Sequence, residues 1–197
     1  MKYFLVAAII FLLYSNADAQ KAMSWRTKYA LLAGITGSSI GGESDSYNGI
    51  LVGGQAGFLV SLDPGVPDHV VWQAEANVSM EGSKYTDTYV SGKVQTTYIN
   101  VPIVVQNQTQ SGFYAEAGIQ PGFLVSAKDK YSGHTDDYKN SVNTFDFGIP
   151  VGIGFRIGRI ASVNLRYTHG LTNINKTGTA KDHNRVASLR FLWFIGK

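Results

Sequence analysis

Apolar and polar residues alternate one for one through eight stretches of this chain, residues 28–37, 49–62, 70–81, 93–106, 112–126, 144–157, 161–170 and 185–195. Phe145, Phe147, Ile149, Val151, Ile153 and Phe155 make one such row, and Asp146, Gly148, Pro150, Gly152, Gly154 and Arg156 are interleaved with it. A period of two is the mark of a β-strand, whose successive side chains leave opposite faces of the pleat. No helical pattern is present to cover the apolar face of such a sheet. The pattern therefore predicts an all-β fold, an eight-stranded antiparallel up-and-down transmembrane β-barrel with its apolar, uncharged set in lipid and its polar set inside. Each stretch is long enough to span, since a tilted strand needs about 9–11 residues.

The connections alternate in length. Residues 63–69, 107–111 and 158–160 are short, whereas 38–48, 82–92, 127–143 and 171–184 are long and polar. Short turns on the periplasmic side and long loops outside are the asymmetry of outer-membrane barrels, and an even strand count puts both termini in the periplasm. Tyr29, Trp72, Phe113, Phe155 and Trp193 all fall in the outward set at the periplasmic strand ends, as an interfacial aromatic belt requires. Phe123, Phe145 and Tyr167 are placed to form the opposite belt.

The first 19 residues read as a cleaved export signal. Lys2 precedes an apolar run from Phe4 to Tyr14, and Ala17-Asp18-Ala19 forms the cleavage site, leaving residues 20–197 as one barrel domain. No other apolar stretch reaches the roughly 18 residues of a membrane helix. The chain has no cysteine and a net charge of +3, with no basic run that would suggest nucleic acid.

Glu75, Glu116, Arg156, Arg166 and Arg190 all belong to the inward set, and counting from the periplasmic strand ends puts Arg156 lower than the other four, which fall at similar depth. A bore of eight strands is just wide enough for side chains to fill. The expectation is a lumen plugged by mutually neutralising ion pairs, with a gated ion path as the alternative. Glu81 and Asp146 fall nearer the outer mouth, and inward glycines leave room for long side chains. Pro102, Pro121 and Pro150 lie inside strands, where a missing N–H breaks a ladder bond, so a bulge or bend is expected at each.

Catalytic chemistry has little to stand on. His134 with Asp136 and Asp137, and Asp182 with His183, are acid–base neighbours in polar loops, where such residues are usually solvated. His169 falls on the lipid side beside Tyr167. The four histidines share no ligand spacing, so no metal, cofactor or catalytic residue is assigned. In the two longest loops Tyr131, His134, Tyr138, Lys139, Lys176, Lys181 and His183 are available to lipopolysaccharide phosphates or a protein partner.

Three stretches carry a family resemblance: Tyr98-Ile99-Asn100-Val101-Pro102-Ile103, Gly112-Phe113-Tyr114-Ala115-Glu116-Ala117-Gly118, and Asn164-Leu165-Arg166-Tyr167-Thr168-His169-Gly170-Leu171. They resemble the PorT-like outer-membrane β-barrel family of Bacteroidetes, OmpA-like in strand number, over essentially the whole mature chain. Asn100 stands where that family usually has an acid, and the chain runs past Phe194 to Lys197. The resemblance implies the barrel and a Gram-negative outer-membrane location. It also implies contact with outer-membrane lipid, lipopolysaccharide and the barrel assembly machinery, and it points towards an envelope or secretion-system partner. The role expected is non-enzymatic, as scaffold or loop-mediated binding component. A narrow porin-like channel for small solutes is the alternative, and a soluble lipocalin-like carrier, which needs the opposite register, comes third.

Overall fold

The computed structural model describes residues 25–43, 47–64, 69–86, 91–177 and 180–195. The export signal assigned to residues 1–19 and part of the first short turn, residues 65–68, lie outside the described residues. Ten strands are present: β1 Arg26–Gly42, β2 Tyr47–Asp63, β3 His69–Thr86, β4 Ser91–Asn100, β5 Ile103–Gln108, β6 Phe113–Tyr131, β7 His134–Asp137, β8 Phe145–Ile157, β9 Ala161–Gly170 and β10 Asp182–Ile195. They reduce to the eight expected wall strands. β4 and β5 are one strand interrupted at Val101-Pro102, and β7 is a short hairpin arm on the end of β6.

All pairings are antiparallel, and the sheet closes on itself because β1 pairs with both β2 and β10. The ring runs β1, β2, β3, β4/β5, β6, β8, β9, β10 and back to β1. Closure removes the unpaired edges that an open sheet would expose. Among the described residues no helix is long and apolar enough to cross a membrane.

Burial follows the alternation read from the sequence. In β9, Ser162, Asn164, Arg166 and Thr168 are buried while Val163, Leu165 and Tyr167 are exposed. In β10, Arg190 and Leu192 are buried while Leu189, Phe191 and Trp193 are exposed. A molecule with charged residues inside and Leu, Ile, Phe and Trp outside is inverted relative to a water-soluble barrel.

Three differences from the sequence reading have physical causes. The strands run further towards the long loops than the alternation does: β1 continues to Gly42, β3 to Thr86 and β6 to Tyr131. Stretches such as Ser38-Ser39-Ile40-Gly41-Gly42 have no apolar face, so ladder bonds persist there without a hydropathy signal. Secondly, the outward face is not uncharged throughout, because Lys93 and Arg185 leave the wall on that side at the loop-side strand ends. Thirdly, the prolines act differently from one another. Pro102 ends the β4 ladder, although its carbonyl still accepts from the Glu75 N–H at 2.9 Å. At Pro150 pairing between β6 and β8 lapses between Ala117–Val151 and Gln120–Gly148, yet the register is unchanged. The bulge nearest Pro121 is on the same strand, at Val125 of β6, where Leu124 and Ser126 pair with the consecutive Tyr98 and Thr97 of β4.

Candidate functional site

The lumen is the candidate site, and its centre is a buried ion-pair network. Glu75 comes from β3, Glu116 from β6, Arg166 from β9 and Arg190 from β10. Arg166 grips Glu75 with both terminal nitrogens, Nη2 to Oε1 at 2.8 Å and Nη1 to Oε2 at 3.1 Å. Its Nε donates to Glu116 Oε1 at 2.6 Å. Arg190 Nη2 donates to the same Glu75 Oε2 at 2.7 Å, and Nη1 lies 3.9 Å from Glu116 Oε1. Gln106 of β5 donates to Glu116 Oε2 at 2.9 Å and reaches Gln73. None of the four charged side chains is more than 4 % exposed.

β3 and β9 are four places apart in a ring of eight, so the Glu75–Arg166 pair runs across the full width of the lumen. Two carboxylates and two guanidinium groups cancel in net charge. The Arg166 fork satisfies both carboxylates at once, which is how charges survive out of water, whereas Arg190 hydrogen-bonds Glu75 alone and leaves Nε and Nη1 buried without a hydrogen-bond partner. Small residues make this fit possible. A Cβ on Gly152 would come within 2.9 Å of Glu116 Oε1, and one on Gly154 within 2.3 Å of the Tyr114 ring. Tyr114 itself is buried and bonds Ser162 of β9 over the intervening β8 at 2.8 Å.

Arg156 does not join this network. It sits nearer the terminal end of the barrel, where Nη1 donates to Gln108 Oε1 at 3.1 Å and lies 3.5 Å from Asp63. Its guanidinium is 4.2 Å from the centre of the Phe194 ring. Lys28 also bonds Asp63, and His69 Nε2 lies 3.0 Å from it. Arg156, which counting from the strand ends already puts lower than the other four, thus belongs to a separate terminal-end cluster and not to the central plug.

The loop-side mouth is built differently. Glu81 accepts from Asn100 Nδ2 at 3.0 Å, and Asp146 accepts from Asn184 Nδ2 at 2.9 Å and from the Thr172 hydroxyl. These residues line a polar cavity of about 10 Å³, room for about one water. Nearby, wall residues Ile40, Val94, Tyr98, Leu124 and Ala127 pack with Val142 and Ile174 from the two longest loops. Those loops are stitched together by the Val142–Asn175 bridge and by Asn143 N–H to Ile174 O at 2.8 Å. The sequence reading treated both segments as a solvated crown. They form an apolar cap instead, and lone aliphatics at 142 and 174 in polar surroundings were the available signal.

The acid–base neighbours of the loops do not form working pairs. Tyr131 donates to Asp136 at 2.6 Å while its ring stacks on His134, whose Nδ1 faces the Ser132 carbonyl. Asp137 accepts the Lys139 N–H. Asp182 is buried, whereas its neighbour His183 is half-buried on the other face and meets the Thr172 carbonyl at 3.0 Å. His169 is exposed beside Tyr167. Among the described residues no cluster of three or more His, Cys, Asp or Glu could hold a metal ion.

The aromatic residues sit on the wall as follows. Tyr29, Trp72, Phe113, Phe155 and Trp193 are all exposed, and Phe113 pairs directly with Phe155. Towards the loops Phe123 and Phe145 meet edge to face at 5.6 Å, with Tyr167 also exposed.

Comparison with known proteins agrees with this architecture. Neisserial surface protein A (NspA) superposes with a TM-score of 0.56 at 12% identity, over 84% of this chain and 96% of that one. Ail, the attachment invasion locus protein of Yersinia pestis, solved with the heparin analogue sucrose octasulfate, gives 0.55 at 9% identity over 86% and 99%. Such identities carry the fold and no more. No curated protein sequence matches the chain. Residues 18–176 match the outer membrane protein beta-barrel domain family, and the chain belongs to that family of outer-membrane barrels.

Proposed function

We propose that this is a non-enzymatic barrel whose bore is closed by its central ion pairs and whose work is done on the outside, as envelope scaffold or loop-mediated binding component. The observation that carries this reading is the Glu75–Arg166 pair spanning opposite walls, braced by Glu116, Arg190 and Gln106. An eight-stranded barrel has little bore to spare, and this one is occupied by its own side chains. Both termini face the periplasm and the long loops face outward, after removal of residues 1–19. The short connections at the terminal end, including the turn where Gly158 takes φ of 61°, favour that orientation. The three motif stretches favour a PorT-like barrel of Bacteroidetes, with a secretion-associated partner.

A second reading, a narrow channel for small solutes, draws on the polar cavity lined by Glu81 and Asp146. Flux of small solutes into liposomes carrying the refolded protein separates the two. Closed liposomes are expected. Swelling at a rate that rises with protein content would overturn the plugged barrel and leave the channel.

A further inference from the structure

The outer wall carries a row of lysines that neither the fold nor the lumen requires. Lys84 of β3 is the register partner of Lys93 of β4, and Lys93 is the register partner of Lys130 of β6. Lys128 of β6 stands opposite Gln95, two residues along the same wall. Directly paired residues leave a sheet on the same face, about 5 Å apart. That face is the outer one, because the alternate residues Ser83 and Val94 are buried. Four ammonium groups therefore share one patch. Lys130 Nζ is held towards the patch by Gln95 Oε1 at 3.2 Å. Among the described residues the acid paired into the row is Asp137, opposite Lys128, and its carboxylate already accepts the Lys139 N–H.

Like charges directly opposite one another weaken a sheet. This arrangement becomes favourable only when something anionic lies against it. Depth says what that is. Towards the terminal end of the same three strands, the outward positions are Val78 and Met80 on β3, Ile99 on β4, and Phe123 and Val125 on β6, all exposed. The lysines thus begin where the apolar band stops. In a bilayer that boundary is the headgroup layer, where lysine stems lie on apolar surface and their heads meet phosphate. The row is also the denser side of the barrel: across from it, the exposed strand positions towards the loops are Tyr167 and His169 of β9 and Arg185 of β10, a single arginine with no lysine beside it.

We propose that Lys84, Lys93, Lys128 and Lys130 form a binding site for the phosphate groups of a phosphorylated outer-leaflet glycolipid. The site rests on the reading that the long loops face outward. It is distinct from the loop crown, since it lies on the wall and its ligand would lie flat against β3, β4 and β6.

The test uses the full mature chain, folded in neutral detergent, with folding checked by its heat-dependent gel shift. Three probes are titrated: bisphosphorylated lipid A, the same lipid with both phosphates removed, and inorganic phosphate. The bisphosphorylated lipid is expected to bind at least about tenfold more tightly than the dephosphorylated one. Changing the four lysines together to Gln is expected to abolish that difference, and changing them to Arg to keep it. A second set, Lys139→Gln, Lys176→Gln and Lys181→Gln, is expected to leave it intact. Equal binding of both lipids, or equal loss with either Gln set, would overturn the site. Inorganic phosphate competing at the affinity of the lipid would show a free-anion site and overturn the lipid assignment. Orientation is read separately, by labelling Gly133→Cys on intact cells with a membrane-impermeant maleimide. Failure there would sink the outward-facing loops without touching the binding result in detergent.

Discussion

In the middle of the lumen Glu75, Glu116, Arg166 and Arg190 meet as a buried, charge-balanced network whose members all stand on wall strands. At the loop-side mouth the closure is apolar, and two of its members, Val142 and Ile174, arrive on connecting segments. The first closure is as rigid as the barrel, because every side chain in it is anchored to a hydrogen-bonded ladder on both sides. The second depends on loops joined to one another by one described bridge and a few backbone bonds, and tied to the wall at points such as Leu171 N–H to Phe147 O and Ile174 N–H to Asp182 O. Local opening free energy scales with such support, so the mouth is expected to breathe while the centre stays shut.

The largest effect expected is at the centre. Arg166→Met leaves Glu75 and Glu116 with one guanidinium between them, and removal of one partner from a buried network costs about 3–5 kcal/mol. Urea unfolding of the refolded barrel measures it. Replacing Glu75 and Glu116 by Gln, with Arg166 and Arg190 by Met, is expected to recover much of that loss, because no uncompensated charge remains. A four-fold variant less stable than Arg166→Met would show that the charges themselves hold the barrel together.

Ile149→Arg provides the control on the outer face. It puts a cation where the wall meets lipid, at a cost of about 2–4 kcal/mol near the midplane. Folded yield in membranes should fall, yet the protein that does fold should keep a closed bore. At the mouth, Ile174→Ala removes a buried side chain, worth about 2 kcal/mol or more to the cap. Amide exchange should quicken at residues 138–143 and 171–176 while the amides around Arg166 stay protected. Equal acceleration at both places would dissolve the distinction between rigid centre and breathing mouth.

The smallest effect lies on the β7 hairpin. The Asp136 carboxylate, by its hydrogen bond and then its charge, holds the Tyr131 hydroxyl above the usual tyrosine range. A raised value means that the tie is intact below the ordinary pKa of about 10 and is lost as pH climbs through the higher one. Asp136→Asn should lower the Tyr131 titration, measured by phenolate absorbance, without changing unfolding.

How far the sequence reveals this molecule depends on where side-chain period carries information. Alternation identified all eight wall strands and the face of Glu75, Glu116, Arg156, Arg166 and Arg190, because one slip in register would exchange lipid and lumen along a whole strand. Depth was legible in part. Counting from the strand ends put Arg156 lower than Arg166, but its partners Asp63 and Phe194 could not be read, since strand stagger around a closed barrel is not written in any single strand. The cap was illegible for another reason. Val142 and Ile174 sit in polar segments without any period, and only their burial against Tyr98 and Leu124 reveals their role. The lysine row emerged only from pairing, as Lys128 and Lys130 lie far along the chain from Lys84 and Lys93.

The central claim is that the ion pairs close the bore, and single-channel recording of the refolded protein in planar bilayers tests it most directly. Folded, gel-shifting protein should be electrically silent. Discrete, reproducible openings from that same folded protein would contradict the account and make Glu75, Glu116, Arg166 and Arg190 the lining of a conducting path.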